Sequence, residues 1–170
     1  MADVVRLDPP FEAAERPMLE AWLDFHRATL ATKCAGLDDE QLRLRAVPPS
    51  TLTLLGLVRH LADVERYWFQ WVFAGEPVPP YYWTDEDPDA DFNGVEEADS
   101  AEAFATWRAA CERSRTITQE SADLAVTGVN LRDGRPVSLR WILVHLVEEY
   151  ARHNGHADLL RERVDGVTGE

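Results

Sequence analysis

The chain has 170 residues, of which 45% are hydrophobic and 28% charged, the balance of one globular domain (1–170) with enough chain to bury a core. With 17 basic against 31 acidic residues the net charge is -14, which repels phosphate backbones and anionic lipid and argues against nucleic-acid or membrane binding. No apolar run is long enough for a membrane span, and the first residues lack the basic and apolar regions of a signal peptide, so a cytoplasmic location is expected.

The first helix is predicted from Pro17 to Ala35, with proline in the opening turn and Gly36 just beyond the end. Its expected inner stripe is Met18, Leu19, Trp22, Leu23, His26 and Leu30. Asp38 can cap a short turn through Leu44, which Pro48 and Pro49 stop. Ser50 or Thr51 is expected to cap a second helix reaching Phe73. Its inner face would carry Leu54, Leu57, His60, Leu61, Val64, Trp68, Trp71 and Val72. Trp68, Trp71, Trp107 and Trp141 all read as core.

Residues 76–98 are proline-rich and acidic with interspersed aromatics, and read as a long crossover loop. Tyr81, Tyr82 and Trp83 in it could form a lid, anchor the loop or serve a dimer contact. Asp99 with Glu102 resembles a capping box opening a third helix to about Glu120, which buries Phe104, Trp107, Cys111 and Ser114. Asp133-Gly134 marks a turn and a possible short hairpin. Ser138 then caps a fourth helix to about Val164, followed by Gly166. Four long helices and negligible strand predict an all-α four-helix bundle. Cys34 and Cys111, without CxxC spacing, are expected to be buried thiols.

The fourth helix carries the chemistry. At about 100° per residue, Ile142, Glu149, His153 and Leu160 share an arc of about 40°, flanked by His145 and His156. Glu148 faces away, and Arg140, Arg152 and Arg161 are expected to pair on the surface with Glu148 or Glu162. A carboxylate on a core face must be neutralised or paired. An imidazole one turn on could pair with it, and a divalent ion such as zinc, nickel or iron could satisfy both. His60 on the second helix is the candidate third ligand, and two histidines with one carboxylate leave positions open for water or substrate. A buried Glu149–His153 ion pair is the competing reading, and His26 reads as a hydrogen-bonded core residue.

The segments TLLGLVRHLADVERYWF and EEYARHNGHADLLRE resemble two signature regions of the DinB/YfiT-like superfamily, and most closely its actinobacterial DinB-like branch. A basic complement with Lys33 as its single lysine is consistent with a GC-rich genome. The resemblance implies a four-helix bundle with a metal triad of His60, Glu149 and His153. Glu149 in the first fourth-helix position is similar to the mycothiol-dependent maleylpyruvate isomerases. The run His153-Asn154-Gly155-His156 departs from the HRGQ common in the family, which leaves His156, like His145, as a supporting group or alternative ligand. The resemblance further implies a metal-dependent transferase or isomerase. Its partners would be a low-molecular-weight thiol such as mycothiol and an electrophilic substrate, and the chain would form a homodimer. A non-catalytic metal-binding or stress-response protein is the alternative.

Overall fold

The computed structural model describes residues 5–130 and 132–168. It is mostly helical. Helix α1 spans Glu15–Cys34, α2 Asp39–Arg43, α3 Leu54–Glu65, α4 Ala90–Asn93, α5 Ser100–Glu120 and α6 Leu139–Asp165. Between α5 and α6 lies an antiparallel hairpin, β1 Thr127–Val129 and β2 Pro136–Ser138, with Gly128 opposite Val137. The turn signal at Asp133-Gly134 is thus a hairpin, with Gly134 in the left-handed region.

The caps explain the boundaries. Asp38 and Gln41 form a full capping box on α2. Asp99 accepts from the Glu102 amide, and Ser138 from that of Trp141, at the starts of α5 and α6. Gly166 closes α6 in the left-handed conformation. The second predicted helix starts later than expected. Thr53, not Ser50 or Thr51, caps α3 by accepting from the Gly56 amide at 2.9 Å. Its buried hydroxyl is already committed to that bond, whereas Thr51 is exposed.

The same helix does not continue regularly to Phe73. From Arg66 to Phe73 it widens into a π-helix, with the Ala74 amide bonding the Phe69 carbonyl five residues back. The wider turn shifts the inward face. Phe69, Gln70 and Val72 are buried there, while Trp68 and Trp71 are only partly covered. Trp107 is core as expected, but Trp141 is exposed.

Helix α1 packs most extensively on α6, and α3 on α5, while α3 also meets α6. The buried face of α1 differs from the expected stripe: it runs through Leu23, Arg27, Leu30 and Cys34, and Trp22 is 42% exposed. Arg27 lies inside because its partner does. Its guanidinium donates Nε and Nη2 to the two carboxylate oxygens of Glu65, each at 2.7 Å. The Tyr150 hydroxyl donates to Glu65 at 2.9 Å, and the Trp107 indole donates to Tyr150 at 2.8 Å.

This polar chain joins α1, α3, α5 and α6 at the centre of the core. Burial alone would push the Glu65 carboxyl up, but the charge and hydrogen bonds of Arg27 outweigh it and hold it below the usual carboxylate range. Both cysteines are buried free thiols, as expected; burial pushes Cys34 up to about 12.

The hairpin lies against the end of the π-helix. A Cβ on Gly128 would sit 2.2 Å from the Val72 carbonyl oxygen, so only glycine permits that approach. The long loop between α3 and α5 is anchored twice. The buried Asp63 carboxylate accepts the backbone amides of Tyr81, Tyr82 and Trp83 at 2.6, 3.0 and 3.3 Å. Arg59 donates to the carbonyls of Ala90 and Asp91, holding α4 on α3.

Candidate metal centre

Helices α3 and α6 bring His60, Glu149 and His153 together. One ligand atom from each lies within 4.8 Å of the others. His153 is buried, and His60 and Glu149 are partly covered. Along α6, His153 Nε2 stands 3.5 Å from Glu149 Oε2. Two donors bound at about 2.1 Å to one tetrahedral ion stand about 3.4 Å apart, so this pair is already spaced for it. Across the helices the His60 and His153 rings lie 4.7 Å apart between centroids, tilted at 58°.

Each of the two histidines has a partner for its Nδ1. His60 Nδ1 lies 2.7 Å from Asp91 Oδ2, so the protonated Nδ1 donates to the carboxylate and Nε2 carries the free lone pair. Phe92 stacks on the same ring at 4.9 Å. Asp91 itself is buried, its other oxygen accepting the Phe92 amide at 2.9 Å. His156 Nδ1 lies 3.3 Å from His153 Nδ1, so one ring nitrogen donates to the other. That bond makes His156 a support for His153 from the side away from Glu149.

Asp91 is the partner of His60 that the sequence did not reveal. It sits on one helical turn inside a segment read as loop, and no local pattern separates it from the other acids there. Only the Arg59 anchor and the close approach at Gly56, where a Cβ would meet Phe92 at 3.1 Å, bring it to His60.

The electrostatics suit a cation. The His153 imidazole, acting against burial, holds the Glu149 carboxyl below the usual carboxylate range, with Arg152 adding to it. Burial lowers His145 and His156 from the usual imidazole range. His145 Nε2 is 3.7 Å from Glu149 Oε1, beyond hydrogen-bond range. With Glu148 and Glu149 it forms a second group of donors, but Glu148 is exposed and engaged by Arg152.

The remaining sequence candidates fall elsewhere. His26 lies near Asn154, whose amide donates to the His26 carbonyl at 3.0 Å. Arg152 pairs with Glu148 as expected, whereas Arg140 pairs with Glu15 and Arg161 with Asp165. Arg161 also donates to the carbonyls of Lys33 and Ala35 at the end of α1.

The centre opens into a cleft of 510 Å³ between α3, α6, the long loop and the hairpin turn. His60, His145 and Glu149 form its inner wall, and Tyr67, Trp68 and Trp83 its aromatic sides. Asp63, Asp85 and Asp91 add carboxylates, and Arg132 is the one guanidinium lining it among the described residues. The buried Tyr67 hydroxyl has no hydrogen-bond partner among the described residues. Trp83 thus borders the cleft, while Tyr81 and Tyr82 lie under Arg66 and Arg59 as part of the loop anchor.

Residues 18–166 match the sequence model of the mycothiol-S-transferase family. The chain belongs to that family. This places it among the DinB-like proteins that its two signature segments resemble. The fold is similar to that in a crystal structure of a mycothiol-dependent maleylpyruvate isomerase, with a TM-score of 0.56 and 15% identity. The likeness covers 81% of this chain and 59% of that one, so the chain spans little more than half of the isomerase. No protein of curated function matches the chain in sequence. Among the described residues, no helix is long and apolar enough to cross a membrane.

Proposed function

We propose that His60, Glu149 and His153 hold a divalent metal ion, zinc foremost with nickel or iron as alternatives. The chain would then be a metal-dependent enzyme that uses mycothiol in a transfer or isomerisation reaction. In this reading α1, α3, α5 and α6 form the four-helix bundle of the DinB-like proteins. The observation that carries it is the convergence of three donors from two helices, with His60 Nδ1 already committed to Asp91. Two imidazoles and a carboxylate are the donor chemistry of a catalytic zinc site with an open position. A buried ion pair alone would not require His60 to be oriented by a second carboxylate.

When bound, such an ion supplies Lewis acidity, which lowers the pKa of a thiol so that the thiolate is available at neutral pH. The protein's own groups do the rest. Asp91 and His156 hold the imidazoles in one orientation. The cleft has the volume of a small-molecule site, and its aromatic walls offer apolar surface to a ligand. The Tyr67 hydroxyl is placed to hydrogen-bond a ligand there, and Arg132 can balance developing negative charge.

The test is elemental analysis of protein purified without a chelating tag, followed by cobalt substitution. Stoichiometric metal, lost in His60→Ala, and a change in the cobalt absorption on adding mycothiol support the proposal. Less than about a tenth of an equivalent after exposure to zinc would sink the metal claim. Metal that binds but whose spectrum no small thiol perturbs would make the chain a non-catalytic metal-binding protein.

A further inference from the structure

Beyond the three donors, the cleft is lined by aromatic rings and carboxylates. Tyr67 and Trp68 come from the π-helix, Trp83 and Asp85 from the long loop, and Arg132 from the hairpin turn. The rings hold one another in place. Trp68 and Trp71 meet Tyr67 edge to face at 5.1 and 5.6 Å, and Trp83 stacks on Trp71 at 6.4 Å. The Arg132 guanidinium lies over the Tyr67 ring, with Cζ 5.5 Å from the centroid. A cation within about 6 Å of a ring centre is attracted by the ring's quadrupole. The cleft thus already seats one cation, supplied by the chain itself. Arg132 is held loosely there: it is exposed on a turn, and its side chain makes no ion pair among the described residues.

The charges around the rings favour a cation too. The carboxylates of Asp63, Asp85, Asp91 and Glu149 line the cleft against a single guanidinium. Three backbone amides orient the Asp63 carboxylate. Asp85 is exposed and has no basic partner among the described residues. The net charge of -14 adds a long-range field of the same sign. An anionic ligand entering here would give up hydration to meet like charge, whereas an organic cation would gain both rings and acids.

We propose that Tyr67, Trp68, Trp83 and Asp85 form a subsite for a small organic cation, an ammonium or amidinium compound, which displaces Arg132 from the Tyr67 ring. A volume of 510 Å³ suits a small molecule. The proposal rests on the function proposed above for the ligand's role, that of the electrophilic substrate, and adds the charge which that substrate carries. Its cationic group would stand where Arg132 stands now, beside the His60/Glu149/His153 centre. Electrophiles bearing carboxylates would be rejected.

The probe is benzyltrimethylammonium, an aromatic cation with no lone pair, so it cannot ligate a metal. Benzyl alcohol and benzoate are its neutral and anionic counterparts. Isothermal titration uses the full zinc-free chain at about 0.15 M salt, which screens the general acidity of the surface. The cation is expected to bind about tenfold more tightly than either counterpart. Arg132→Ala should tighten its binding about threefold or more by freeing the ring, and Asp85→Asn should weaken it about threefold. Both side chains are exposed, so the fold tolerates either change. Benzoate or benzyl alcohol bound as tightly as the cation would overturn the subsite. So would unchanged or weaker cation binding in Arg132→Ala, or unchanged binding in Asp85→Asn. Failure of the metal reading looks different: no zinc uptake and no thiol response, with the order of the three probes intact.

Discussion

Replacing Asp91 with asparagine removes one negative charge at the His60 support and leaves the side-chain shape unchanged. In the wild type one carboxylate oxygen accepts from His60 Nδ1 at 2.7 Å and the other from the Phe92 amide at 2.9 Å. Asparagine has a single acceptor oxygen, so it can serve one of those donors and turns an NH₂ toward the other. A hydrogen bond to a charged group contributes about 1.5–3 kcal/mol, against about 1 kcal/mol for a neutral one. The difference, about 0.5–2 kcal/mol, corresponds to zinc binding weakened about 2- to 30-fold. That agrees with the loss of about 10- to 100-fold seen when outer partners of metal-bound histidines are removed. The assay is competition for zinc against a chromophoric chelator at fixed pH, with thermal melting of zinc-free protein measured alongside. A dissociation constant within about twofold of wild type would refute the argument that Asp91 orients His60 for a metal. Lower affinity accompanied by an equal loss of zinc-free stability would instead make Asp91 a plain structural contact.

Three further outcomes follow from the core and from the hairpin packed on it. Glu65→Ala leaves Arg27 buried without its counter-charge and should cost about 3–5 kcal/mol in urea denaturation; a loss under about 1 kcal/mol would show that the pair is dispensable. Because Glu65 titrates lower when folded, its contribution is full above the ordinary glutamate value of 4.5 and is lost as the pH falls from there through the folded value. Glu65→Gln should flatten that part of the stability–pH curve, and an unchanged acid slope would contradict the assignment. Gly128→Ala forces a methyl group onto the Val72 carbonyl and should destabilise by about 1–3 kcal/mol, read as a lower melting temperature. An unchanged melting temperature would mean that the hairpin is free to move off the π-helix.

The placement of His60, Glu149 and His153 was legible in the sequence because periodicity is local. A 3.6-residue repeat puts Glu149 and His153 on one side of α6, and the apolar neighbours of His60 put it on the inner side of α3. Caps and turns were legible for the same reason, since Asp99, Ser138 and Gly166 act within a few residues of themselves. The π-helix was not. An aromatic run such as RYWFQWVF fits either winding, and the choice depends on what Phe69 and Gln70 meet in the core. The burial of Arg27 was hidden too, because a charged residue on a helix reads as solvated until a partner 38 residues away is brought against it.

Composition and local patterning by themselves determined a mostly helical chain, its helix ends and the inward donors of two helices. Tertiary structure alone decided which nitrogen His60 presents, what supports His153, and that Glu65 and Arg27 share the core. The reason is physical. Helix periodicity is set by bonds between residues four apart, whereas an imidazole's orientation and a buried charge's cost depend on groups that only chain folding brings within hydrogen-bond range.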